Sequence, residues 1–132
     1  MTSLCLHGSF LGEEMVRCWM SELRDKWDTE DPLAIAAAEG IRVIFAEDGR
    51  ADWDARLLRA NEDWLVLVNQ KKGDVRVRFA VAHELAHREI VINTHKLSPA
   101  GDLEIERLCD VGAHELLFGV GEWAGGRAAW AS

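Results

Sequence analysis

No tyrosine occurs anywhere in the 132-residue chain, which also has only two prolines and three cysteines. Each shortage excludes something. Without tyrosine there is no phenol to donate a proton or steady an oxyanion, so any such role falls to another side chain. Cys5, Cys18 and Cys109 cannot all pair within the chain, and their spacing matches no zinc-finger pattern. No apolar run approaches the roughly 18 residues of a membrane span. The opening residues, MTSLCLHGSF, lack the basic start of a secretory signal. These features lead us to expect a cytoplasmic protein in a reducing compartment, with no membrane contact. Basic side chains are also scarce: 15 Lys and Arg face 23 Asp and Glu, for a net charge of −8. That balance weighs against direct nucleic-acid binding by this chain, while leaving a basic protein partner attractive.

What is present suits one domain over residues 1–132, with a modest single core. Residues 13–27 place Met15, Val16, Trp19, Met20 and Leu23 near helical spacing. Asp31-Pro32 opens a second helix as cap and first helical residue, and Gly40 closes it. Residues 41–45 read as a strand ending at the turn Glu47-Asp48-Gly49. Residues 55–60 form a second, although LLRA is also compatible with a helix, and WLVLVN (64–69) forms the third. Two helices follow, over 75–92 with Asp74 as cap and over 102–118 with Asp102 as cap and Gly119 as stop. The fold class expected is α+β, with a small antiparallel sheet of about three strands packed with helices. Residues 1–12 and 119–132 are expected to be peripheral. Trp123 and Trp130 in the tail pack on the core or form a partner patch, and Cys5 and His7 belong to a loose N-terminus.

The stretch VRVRFAVAHELAHREIVI organises the rest. On a helix His83 and His87 are four apart and share a face, within reach of one ion. Glu84 lies about 100° further round, where a carboxylate reaches a metal-bound water without ligating the metal. The neighbours are apolar nearly all round, so the histidines and the glutamate need a partner once desolvated. A divalent cation provides one, Zn²⁺ first and Mn²⁺ as the alternative. A third ligand must come from the last helix, where Glu104, Glu106, Asp110, His114 and Glu115 are all within plausible reach. Glu106 and Asp110 share a face that small Ala113 continues, whereas Glu115 points to the opposite side. That face can offer one carboxylate to the metal and another to the far nitrogen of a ligand histidine. Three protein ligands and an open position describe a catalytic rather than a structural zinc site.

The runs VRVRFAVAHELAHREI and EIERLCDVGAHELLF, preceded by LAIAAAEGIRVIF, resemble the ImmA/IrrE family of metallopeptidases over roughly residues 30–118. The resemblance implies His83, His87 and Glu106 as metal ligands, Glu84 as general base and Asp110 as the residue bonding a ligand histidine. It also implies a zinc endopeptidase that cleaves helix-turn-helix repressors of the Xre type or antitoxin-like proteins, relieving repression in stress responses. Asp110 stands where the family more often has Asn, and Phe118-Gly119 where it often has Met-Pro. The chain ends soon afterwards, so the substrate wall is expected to be incomplete or partner-supplied. The alternative reading is therefore a regulatory module that binds a repressor without cutting it. His95 and His114 are the candidates for an oxyanion or substrate contact. Arg76 and Arg78, in the first turns of the helix, are expected to form structural ion pairs, and Cys109 to be a buried apolar residue.

Overall fold

The computed structural model describes residues 12–47, 49, 52–94 and 102–126, with side chains described as far as Gly119. Its order is α1 (Glu13–Trp27), α2 (Pro32–Ala38), β1 (Arg42–Ala46), β2 (Ala55–Ala60), β3 (Asp63–Asn69), α3 (Asp74–Thr94) and α4 (Leu103–Gly126), with a 3-10 turn at Gln70–Lys72. The class is α+β, as expected.

Local chemistry sets most boundaries. The Asp31 carboxylate accepts from the Leu33 N–H at 3.0 Å, and Pro32 begins α2 without a donor to waste. At the other end Gly40 takes φ 78°, so that Ile41 N–H reaches Ala36 O at 2.8 Å and Gly40 N–H reaches Ala37 O at 3.1 Å. Asp102 caps α4 through Ile105 N–H at 3.1 Å. One expectation needs correction. Asp74 is the first residue of α3 rather than its cap, because Gly73 O already accepts from Val77 N–H at 2.9 Å and Gly73 holds φ 90°. Gly119 stops the long helix as expected, leaving helical geometry at φ 77°, ψ 163°, and a further helical stretch follows it as far as Gly126.

The sheet has the order β1-β3-β2. β2 and β3 form an antiparallel hairpin from Ala55↔Val68 to Ala60↔Asp63, turning at Asn61 with φ 59°, a conformation asparagine tolerates. LLRA is thus strand. The expected all-antiparallel sheet is corrected: β1 runs parallel to β3, Arg42↔Leu65 through Ala46↔Asn69. The reason is topological. β3 inserts between β1 and β2, so the connection after Ala46 crosses the end of β3 rather than closing a tight hairpin. Buried Asn69 holds that crossing, its N–H reaching Asp54 O at 2.9 Å and its side-chain amide reaching Trp53 O at 3.2 Å.

α3 is the central element, packing on α1, α2, α4, β2 and β3. Val81, Ala82, Leu85, Ala86 and Ile90 meet Val16 and Met20 of α1, Val66 and Val68 of β3, and Leu108, Ala113 and Leu116 of α4 in one core. Burial on every side explains why the helix is apolar nearly all round. Within the described residues no helix is long and apolar enough to cross a membrane.

Candidate metal centre

α3 and α4 lie side by side, and their contact carries the polar side chains. The His83 ring is held between two carboxylates of α4. Its Nδ1 lies 2.7 Å from Asp110 Oδ1 and its Nε2 lies 3.0 Å from Glu106 Oε1. One turn along α3, His87 Nδ1 lies 3.3 Å from Glu84 Oε1. That bond to Glu84 raises the His87 pKa. Burial opposes the rise, and the Glu84 and Glu106 charges assist it. Glu106 thus bonds His83 directly, and its charge reaches His87.

His83, Glu84, Glu106 and Asp110 line a cleft of about 280 Å³, closed on its other sides by Phe79 and Ala80 of α3 and by Asp54 and Ala55 at the start of β2. Glu84 is buried at 8% exposure, although it lines this cleft. Asp54 was not legible in the sequence as part of the site. Arg76 clamps it through both carboxylate oxygens at 2.9–3.2 Å, with Lys72 Nζ at 3.9 Å. Arg78 pairs with Asp31 at 3.4 Å. Both arginines thus tie α3 to the segments before it, the ion-pair role expected of them. The only sequence signal for Asp54 is its place just before a strand, which gives no direction.

The other candidates fall elsewhere. His114 stacks edge-on against Phe79, ring centres 5.2 Å apart, and lies beside Phe118 at 5.9 Å. It lines a smaller depression between α1 and α4 with Arg17 and Arg107, and desolvation lowers its pKa. Glu115 faces α1, where the Arg24 guanidinium lies 3.7 Å from its carboxylate, on the side away from Glu106 as expected. Glu104 is engaged by Arg107 at 2.8 Å. Cys109 is fully buried and free, and burial, ahead of the neighbouring carboxylates, pushes its thiol pKa far up, so it stays protonated. His95, Cys5, His7 and Trp130 lie outside the described residues, as does the side chain of Trp123.

Among the described residues no group of three or more His, Cys, Asp or Glu side chains is set around a point that could hold a metal ion. The donor chemistry nevertheless suits one. With Nδ1 turned to Asp110, His83 presents Nε2 to Glu106, the orientation in which a ligand histidine is normally fixed. A cation set between Nε2 and Oε1 would replace that direct contact. His87 would join them by releasing Glu84, and that same exchange frees the carboxylate. Compared with known proteins, the chain matches no family model and no curated sequence.

Proposed function

We propose that the chain is a zinc-dependent endopeptidase of the ImmA/IrrE type, acting in the cytoplasm on a helix-turn-helix repressor or antitoxin-like protein. His83, His87 and Glu106 hold the cation, Glu84 is the general base and Asp110 the residue that orients His83. The observation that carries this reading is the His83 ring bracketed by Asp110 and Glu106 from a second helix, beside a cleft that Glu84 also lines. When bound, Zn²⁺, or Mn²⁺ in its place, supplies Lewis acidity, polarising the scissile carbonyl and acidifying water.

The chain's own residues do the rest. Asp110 keeps the His83 hydrogen on Nδ1 and so keeps Nε2 a donor to the metal. Glu84, released from His87, takes the proton of the attacking water and returns it to the leaving amine. Its burial lowers the local dielectric and strengthens each of these interactions. β2 is an edge strand whose first residue lines the cleft, so an extended substrate segment can add along it by main-chain hydrogen bonds.

The test uses Zn²⁺ and a small helix-turn-helix repressor. Wild type yields a discrete fragment, whereas Glu84→Gln still binds zinc and yields none. The competing reading is a regulatory module that keeps the same fold and binds the repressor without cutting it. Under that reading Glu84→Gln regulates as wild type does, and no fragment appears with either protein.

A further inference from the structure

The arginines divide by location. Every arginine on the helices with a described side chain has a carboxylate partner: Arg17, Arg24, Arg76, Arg78, Arg88 and Arg107. On the sheet, the ring of Trp53 lies under Arg56 and that of Trp64 under Arg59, and no ion pair among the described residues includes Arg42, Arg56 or Arg59. In a chain with eight more acidic than basic side chains, arginines left without carboxylates need an explanation.

Strand alternation and register place two of them on one face. Val43, Leu57, Val66 and Val68 point into the core, so Arg42, Ile44, Arg56, Leu58, Leu65 and Leu67 point the other way. The pairings Arg42↔Leu65↔Leu58 and Ile44↔Leu67↔Arg56 make two rows across the sheet. Four apolar side chains occupy the middle and two corners, and one arginine stands at each remaining corner, on opposite edge strands. Ile44 and Leu58 are 42% and 46% exposed, a poor use of large apolar side chains unless something covers them.

We propose that this outer sheet face docks an acidic amphipathic helix of a partner protein, its apolar stripe on Ile44, Leu58, Leu65 and Leu67 and its flanking carboxylates on Arg42 and Arg56. Charge and shape commit to that occupant. The segments outside the described residues hold a single acidic side chain, Asp48, and the end of α4 adds only Glu122, so none of these segments is an acidic amphipathic stretch that could flank both arginines. Three strands span about 10 Å, the width of one helix. Arginines on opposite edges meet carboxylates along both flanks of such a helix, and Arg is the side chain suited to them. The face is separate from the cleft, so docking there requires no cleavage.

The probe is a synthetic amphipathic helical peptide with leucines on one face and glutamates along both borders, set against a twin with lysine for each glutamate. The acidic peptide should saturate, moving the backbone amide resonances of the three strands and leaving those of α1 and α4 in place. Arg42→Glu/Arg56→Glu should weaken it at least about tenfold and reverse the preference between the peptides, and added salt should weaken it as well. Both sites are exposed, so the variant should melt as wild type does. Should it not fold, Leu58→Ser alone must weaken the acidic peptide. Equal affinity for the twins, no saturation by about 1 mM, or shifts confined elsewhere overturns the proposal. So does a dimer in sedimentation that Leu58→Glu dissociates, since the face would then belong to a second copy.

Discussion

Asp110 is the residue on which the proposed centre turns without itself meeting the metal. Its oxygen, 2.7 Å from His83 Nδ1, is the acceptor that fixes the ring. Asp110→Ala should lower zinc affinity about 10–100-fold in a chelator-competition titration, whereas Asp110→Asn, which keeps an acceptor oxygen, should lose much less. Equal losses in both variants would mean that charge rather than orientation is at work. This residue was legible because helical spacing puts Glu106 and Asp110 on one face. The His87–Glu84 bond was not legible, since spacing fixes which side chains are neighbours but not which rotamer they choose. Two other carboxylates show how context decides a titration. Burial is the largest influence on Glu39 and would raise its pKa, yet hydrogen bonds from Trp27, Lys26 and Arg88 together bring it below the usual value. Glu89, beside Arg88, is raised, again chiefly by burial. An acid with a raised folded pKa costs stability above that value, and the cost disappears as pH falls below the unfolded one. Glu89→Gln should therefore raise the melting temperature by a few degrees at pH 7.5 and leave it nearly unchanged near pH 4.

At the scale of elements, the contact of α4 with α3 and α1 depends on a residue no helix propensity favours. A Cβ at Gly112 would lie 2.7 Å from Ala86 Cβ and 2.8 Å from Val16 Cγ1, closer than carbon atoms pack. On an exposed helix Gly→Ala would stabilise by about 1 kcal/mol. Here Gly112→Ala should destabilise by about 1–3 kcal/mol in urea unfolding, because it forces apart helices whose core partners are fully buried. It should also weaken zinc binding, since Glu106 and Asp110 ride on the displaced helix. Small Ala113, legible in the sequence as continuing the Glu106–Asp110 face, is buried too, but its neighbour Gly112 carried no such signal. A glycine inside a helical pattern reads as a weakness until its neighbours are known. The caps and turns were legible for the opposite reason: Asp31-Pro32, Gly40 and Asp102 act on backbone within a few residues of themselves, so no distant partner has to be known. Strand direction was not legible, because β1 pairs with a strand about twenty residues away, across a crossing that leaves no local mark.

For the whole molecule, the layers divide the work. The sheet and α2 brace one side of α3, while α4 and α1 close the other, and the proposed cation sits where α3 and α4 meet. Holding it takes side chains from both helices, so binding is a cross-link absent from the unfolded chain. Zinc at a hundred times its Kd should add about 2.7 kcal/mol, read as a rise in melting temperature that a chelator reverses. Two variants separate a bridge from a looser association. Losing Glu106 alone removes the α4 half, so Glu106→Gln should abolish most of the zinc-dependent rise while the metal-free protein melts near the wild-type temperature, since that side chain is about half exposed and glutamine keeps an oxygen in its place. His83→Ala should abolish the rise too, and its metal-free form should shed the clamp across the helices at the same time. If zinc stabilises Glu106→Gln as fully as wild type, the ion is held by α3 alone. The two helices then have no common task, and the hydrolytic reading loses its third ligand.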